Sequence, residues 1–320
     1  MRPLRHVVES QQFDRPLLEA VLSRAAGMER VVAAGGSQEL RGRIMATLFY
    51  EPSTRTRLSF EAAMLRLGGG VIGTESAGHF SSVAKGETLE DTIRIVGGYC
   101  DVIVLRHHEV GASRRAAAVS PVPVVNAGDG PGQHPTQALL DLYTIAKERS
   151  RSTQELGAID GLRIAMVGDL ANGRTVRSLS YLLSKFEDVE ITFVAPPAVG
   201  MGRDIKAHLE EKGTAYRETE DLDSVLPEVD VVYQTRVQKE RFADRMEEYR
   251  RVSGVYLMDR RTLALMRPDA ILMHPLPRVG EIAEEVDDDP RAAYFRQARN
   301  GLFIRMALLR MLLDRAGVGA

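Results

Sequence analysis

Residues 51–57 read Glu-Pro-Ser-Thr-Arg-Thr-Arg, directly after the apolar run Ile44–Tyr50 and directly before Leu58, Phe60, Ala63, Met64 and Leu67. The run predicts a buried strand, and the spacing after it predicts a helix over about 56–67. Hydroxyls and guanidiniums at such a junction suit an anion, above all a phosphate. The free N–H groups of the first turn, the positive end of the helix dipole, the Ser and Thr donors and a forked Arg can all converge on it. A plain N-cap is the alternative, but three hydroxyls and two guanidiniums between Ser53 and Arg57 exceed what capping requires. Arg57 reads as a structural ion-pair former, because one helical turn cannot aim every basic group at a single ligand.

In an open α/β sheet, ligands bind beyond the carboxyl ends of the strands, so the polar residues after each predicted strand are the other candidates. Val102–Leu105 is followed by Arg106, His107 and His108, and Val122–Val125 by Asn126 and a Gly-rich loop leading to His134, Pro135, Thr136 and Gln137. Further on, Arg163–Val167 leads to Asp169 and Arg174, Val229–Thr235 to Arg236 and Gln238, and Ala270–Met273 to His274-Pro275-Leu276-Pro277-Arg278. Arginines are thus expected to point from both halves of the chain into one space. Gly168–Gly173 lacks the Gly-x-Gly-x-x-Gly pattern, which argues against a dinucleotide site. Cys100 reads as core.

The elements that must carry these residues alternate between strand and helix, which predicts an α/β protein with parallel sheets. A first helix is signalled by Asp14 as cap, Pro16 in the first turn and Leu17, Leu18, Val21, Leu22 and Ala25 on one face. A short strand near Val71, a helix over roughly 87–96 and a helix from Pro135 to about Glu148 complete one doubly wound unit. Arg149–Asp160 is polar and reads as a linker. The second unit adds a strand at Ile191–Ala195 and helical patterns at 174–185, 203–212 and 239–250. A final helix over Ala292–Leu313 carries Phe295, Leu302, Ile304, Met306, Leu309 and Leu312 on its apolar face. The expected domains are 1–148 and 149–291, with the last helix, about 292–320, packing back on the first.

At 320 residues and 44% hydrophobic composition the chain can bury two cores, since single cores stop growing near roughly 250–300 residues. With 42 basic against 44 acidic residues and a net charge of −2, no overall field recruits nucleic acid or an anionic membrane. One cysteine excludes an internal disulfide and a multi-cysteine metal site, and a cytoplasmic location is expected. No secretory signal or membrane span is visible. A transit peptide removed from a longer precursor stays open.

Five segments in order resemble the transcarbamoylase family, on its aspartate branch: Ser53–Arg57, Lys85-Gly86-Glu87-Thr88, His134–Gln137, Arg236–Arg241 and His274–Arg278. The resemblance implies two doubly wound parallel-sheet domains with the active site in the cleft between them, a carbamoyl-phosphate domain first and an aspartate domain second. It implies transfer of the carbamoyl group to the amine of L-aspartate, in pyrimidine synthesis, with no metal or organic cofactor. Carried over by motif, Ser53, Thr54, Arg55 and Thr56 hold the phosphate and Arg106 bridges phosphate and carbonyl oxygen. Thr56, Arg106 and His134 polarise that carbonyl. Gln137 and the backbone carbonyls of Pro275 and Leu276 take the carbamoyl NH2, and Arg174, Arg236 and Gln238 clamp the two carboxylates of aspartate. Ser81 and Lys85, on the loop 76–85, are implied to enter a neighbouring subunit's site, in a homotrimer with shared sites; Lys85 meets both substrates.

The ornithine branch, typically with Ser-Met-Gly and His-Cys-Leu-Pro segments, is the nearest alternative. Here Pro275 stands in the cysteine's place and Ser-Met-Gly is missing. Another amine as acceptor, or a non-catalytic copy of the fold, is a further alternative, although every implied catalytic position is filled. Glu51 is expected to pair with Arg174 or Arg241 across the cleft. Phe80 before Ser81 resembles plant members and suggests UMP as a ligand of the phosphate seat. Regulatory chains stay open as partners.

Overall fold

Strand β1 (Ile44–Phe49) is apolar and buried from its second residue on, as a central parallel strand covered on both faces must be. The computed structural model describes residues 4–75, 86–149, 159–237, 247 and 254–314. The chain divides into two units, 1–139 with 300–320, and 140–299.

In the first unit β1 lies between β2 (Gly70–Glu75) and β3 (Val102–His107), and β4 (Val124–Asp129) follows β3, giving the all-parallel order β2-β1-β3-β4. Val7 bridges to Val125 beyond β4. Helix α1 (Arg15–Ala33) starts where the sequence signals it: Asp14 accepts from the Leu17 N–H at 2.9 Å, and Leu18, Val21, Leu22 and Ala25 are buried. Helix α2 (Thr54–Arg66) follows β1, and α3 (Leu89–Gly97) is capped by Thr88.

Two expectations here need correction. β3 runs on through Arg106 and His107, and β4 runs from Val124 to Asp129, taking in Asn126, expected just beyond the strand. Buried polar residues at strand ends break an apolar run without breaking the ladder. Asn126 is held by its own partners, donating to the Val8 carbonyl at 2.9 Å and accepting from the Gly128 N–H at 2.7 Å. Second, helix α4 (Ala112–Val119) was not anticipated. Parallel β3 and β4 require a crossover, and buried Ala112 and Ala116, one turn apart, are its faint signature.

Helix α5 (Pro135–Arg149) leads on to the second unit, whose five parallel strands are β5 (Arg163–Val167), β6 (Glu190–Val194), β7 (Ala215–Thr219), β8 (Val231–Gln234) and β9 (Ile271–Met273). Their order is β7-β6-β5-β8-β9. Helices α6 (Arg174–Leu183) and α7 (Arg203–Lys212) match the periodic segments. β7 was missed because Ala-Tyr-Arg-Glu-Thr carries no apolar run and is largely exposed. The pattern at 239–250 lies outside the described residues apart from Glu247.

The last long helix, α8 (Tyr294–Leu313), buries Phe303, Ile304, Met306, Leu308 and Leu309. Phe295, expected on its apolar face, is instead 54% exposed. In its first-unit part Arg305 is buried with its guanidinium 5.1 Å from the Phe60 ring of α2. In the second unit, buried Asp141 accepts from the Tyr233 hydroxyl and from the Gln297 amide, each at 2.7 Å. The Gln297 side-chain oxygen in turn accepts from the His274 N–H at 2.9 Å.

Removing the shared acceptor of this chain should be costly, because buried donors then lose a charge-assisted partner. Asp141→Ala is expected to lower unfolding free energy by about 2–4 kcal/mol in urea titrations. A loss below about 0.5 kcal/mol, the range of surface substitutions, would contradict a structural role for the contact.

Candidate active site

Ordering the strands as β2-β1-β3-β4 places the reversal of strand order between β1 and β3, and the crevice beyond their carboxyl ends is where such a sheet binds ligands. Phe49 is in register with Arg106, and the Tyr50 N–H donates to the Arg106 carbonyl at 2.9 Å. The Ser53–Thr56 segment and Arg106, far apart in sequence, are therefore neighbours by register alone.

Ser53 occupies the N-cap position of α2 but makes no side-chain capping bond, so the plain-cap reading does not describe it. The Arg57 N–H donates to the Ser53 carbonyl at 3.0 Å, so the three N–H groups before it belong to the open N-terminal turn. Thr56 is buried, while Thr54 and Arg55 are exposed. Arg57 turns back along its helix, its Nε 3.7 Å from Glu61, as expected of an ion-pair former.

Arg106 is half-buried and aimed: Nη1 donates to the Ala127 carbonyl at 3.2 Å, and Nη2 lies 3.5 Å from the Glu51 carboxylate. Glu51 thus pairs with Arg106 inside its own unit; of the partners expected for it, Arg174 or Arg241, the latter lies outside the described residues. On the neighbouring strand, Asp129 fixes the loop that leads to His134. Its carboxylate accepts from the Gly111 N–H at 2.8 Å and the Gln133 N–H at 2.7 Å. Gly130 has φ +50°, and a side chain there would meet the His108 carbonyl at 2.3 Å. His134 is 4% exposed, with Nδ1 3.4 Å from the Thr136 hydroxyl, and Gln137 lies one turn into α5. His107 is buried against Tyr50, and burial lowers its pKa; its Nδ1 accepts from the Glu109 N–H at 3.0 Å, a local structural bond.

The second sheet repeats the device. Its order reverses between β5 and β8, Val167 is in register with Gln234, and the Thr235 N–H donates to the Val167 carbonyl at 2.8 Å. Residues following β5 and β8 are thus brought together. They include Arg174, the first residue of α6, and Arg236. Gly168, at φ +111°, is what allows the approach, since a side chain would meet the Thr235 carbonyl at 2.6 Å. Asp169 is buried and accepts from the Asn172 N–H at 3.1 Å, shaping the turn before Arg174.

Pro275 and Leu276 follow β9, next to β8. Their carbonyls are the expected contacts, and the candidate side chain before them turns inward. His274 is 1% exposed; its Nδ1 accepts from the Leu276 N–H at 2.8 Å and its Nε2 lies 2.8 Å from the Glu281 carboxylate. Burial lowers the pKa of His274 despite that carboxylate. For Glu281 burial is the largest single influence and would raise the pKa, but the bond and charge of His274 and the backbone N–H groups of Val279 and Glu281 together outweigh it, and the carboxyl is held low. The expected outward role of Arg278 is a correction: its guanidinium is engaged by Asp287, with Nη2 donating at 2.6 Å, and by the Tyr294 hydroxyl at 3.1 Å.

Ser81, Lys85, Phe80, Gln238 and Arg241 lie outside the described residues. Among the described residues no group of three or more His, Cys, Asp or Glu is placed to hold a metal ion. No described helix is long and apolar enough to cross a membrane.

Known proteins are similar to this chain in sequence and in fold. The family model for the aspartate/ornithine carbamoyltransferase carbamoyl-P binding domain matches residues 5–147, and that for the Asp/Orn binding domain matches 160–312. Aspartate carbamoyltransferase 1, chloroplastic, of Pisum sativum is 58% identical, covering 97% of this chain and 79% of its own length. The aspartate carbamoyltransferase catalytic subunit of Methanothrix thermoacetophila is 51% identical over 97% of this chain and 98% of its own. The crystal structure of aspartate transcarbamoylase from Trypanosoma cruzi with carbamoyl phosphate and aspartate superposes with a TM-score of 0.89 at 42% identity, over 97% of each chain. With both domain models matched in sequence order and both sheets wound alike, the chain belongs to the aspartate/ornithine carbamoyltransferase family.

Proposed function

We propose that the chain transfers the carbamoyl group of carbamoyl phosphate to the amine of L-aspartate, yielding N-carbamoyl-L-aspartate and phosphate for pyrimidine synthesis. The observation that carries this reading is the uncapped start of α2 beside an aimed Arg106, at the point where the strand order of the first sheet reverses. A phosphoryl dianion matches that chemistry. The aspartate-branch relatives, and a solved relative holding carbamoyl phosphate and aspartate, support the choice of acceptor.

In this reading Ser53, Thr54, Arg55 and Thr56 seat the phosphate. Thr56, Arg106 and His134 face the carbonyl oxygen, and Gln137 with the Pro275 and Leu276 carbonyls takes the amide. Arg174, Arg236 and Gln238 take the carboxylates of aspartate. The neutral amine attacks the carbonyl carbon, negative charge builds on the oxygen, and the C–O bond to phosphate breaks as phosphate leaves with the bonding pair and takes up the proton the amine gives up. Donors already in place stabilise that charge without reorganising, and the bound geometry supplies the approach. No protein nucleophile is involved. Ser81 and Lys85 complete the site of a neighbouring copy in a homotrimer, and the single cysteine suits a reducing compartment such as the cytoplasm.

His134→Ala is expected to lower turnover by about 10²–10³-fold, as loss of an oxyanion donor does, with little change in carbamoyl phosphate binding. Unchanged turnover in a carbamoyl-aspartate assay removes His134 from the chemistry. Arg236→Ala should raise the KM for aspartate at least tenfold and leave phosphate affinity near wild type; equal loss of both affinities defeats the assigned division of labour. Ornithine run in parallel as acceptor should give no product. For the shared sites, inactive Lys85→Ala and Arg55→Ala chains refolded together should regain part of the activity, and mixed trimers that stay inactive count against sharing.

A further inference from the structure

The segment after β9 contains a histidine whose side chain is turned away from solvent and onto its own backbone. The His274 ring is buried, and Nδ1 accepts the N–H of the residue two positions on, Leu276, at 2.8 Å. This is the pattern of an Asx-turn, with an imidazole nitrogen in place of the Asn or Asp oxygen. A nitrogen that accepts an N–H carries no proton, so the ring is neutral and its proton sits on Nε2, which donates to Glu281 Oε1 at 2.8 Å. The other Glu281 oxygen accepts the Val279 N–H at 3.0 Å, and the His274 N–H is itself held by Gln297. Tautomer, ring orientation and backbone are thereby all fixed.

The Leu276 N–H shares a planar peptide with the Pro275 carbonyl. That peptide is trans, so its N–H and C=O point in opposite directions, and anchoring one aims the other. The bond does so against a local cost: Leu276 has φ +51°, a region that disfavours side chains with a Cβ by roughly 1–2 kcal/mol.

We propose that His274 is a positioning residue for acyl-group recognition: by accepting the Leu276 N–H it aims the Pro275 carbonyl at the carbamoyl NH2, so that the enzyme distinguishes this amide from an acyl phosphate with no N–H to donate. The inference rests on the functional reading above, which places that carbonyl on the substrate. It concerns a side chain that does not touch the reacting atoms.

Two substitutions separate the halves of the imidazole. His274→Asn keeps an acceptor at the Nδ1 position and loses the donor to Glu281. His274→Gln keeps a donor toward Glu281 and loses the short-range acceptor for Leu276. Each is compared with wild type for the KM of carbamoyl phosphate and for inhibition by acetyl phosphate, which carries a methyl group where the amide stands. Wild type and His274→Asn should prefer the carbamoyl compound to a similar degree, and in His274→Gln that preference should fall at least tenfold, while aspartate saturation changes less. Equal preference in both variants, whether kept or lost, overturns the proposal. If His274→Gln does not fold, judged by thermal melting, His274→Asn decides alone: preference kept supports the acceptor role, preference lost overturns it. A wild-type chain that forms no carbamoyl aspartate defeats the underlying functional reading instead, and that result is separate from the comparison of variants.

Discussion

Parallel pairing is the constraint from which the rest follows. When every strand of a sheet runs the same way, all carboxyl ends open on one rim, and the place where the strand order reverses leaves a crevice there. In the first unit that place lies between β1 and β3, in the second between β5 and β8. Register then does what sequence proximity cannot. Phe49 opposite Arg106 and Val167 opposite Gln234 bring two pairs of distant segments side by side. Gathering cations at such a rim is unfavourable until an anion arrives, and the resting chain moderates this with a carboxylate of its own, Glu51 beside Arg106. With the Ala127 carbonyl on its other side, the Arg106 guanidinium is held in one orientation.

The second unit uses buried polarity for a different end. Tyr233, Asp141, Gln297 and the His274 backbone form a chain of hydrogen bonds through the interior, linking β8, α5, α8 and the residues after β9. Each of these groups would be costly to bury alone. Together they allow few alternative packings, so the segment that follows β9 is located by the core beneath it. Asp287 and Tyr294 do the same for Arg278, which is spent on holding its loop rather than on reaching outward.

Much of this was legible in the residues. The helix after Asp14, the helix start after Ile44–Phe49 and the strand at Arg163–Val167 are written in apolar spacing and cap chemistry, both of which act locally. What escaped has a common cause. β7 lies at the end of its sheet and is largely exposed, α4 is an alanine-rich crossover with little apolar signal, and β3 and β4 continue through polar residues whose partners are distant in sequence. The roles of Glu51 and Glu281 depend likewise on contacts formed only by folding. Nothing in the order of amino acids says that Glu51 would meet Arg106, or that the imidazole after Met273 would turn back on its own chain.

The exposure of β7 has a bearing on solubility. It is the last strand in the hydrogen-bonded order of its sheet, and strands in that position invite pairing with another molecule. Here the short segment carries Arg217 and Glu218, which are engaged with Glu228 and Lys206 respectively. A foreign strand docking alongside would have to displace or desolvate those ion pairs, so the margin of the sheet is guarded against aggregation by the same charges that hid it from a search for apolar runs.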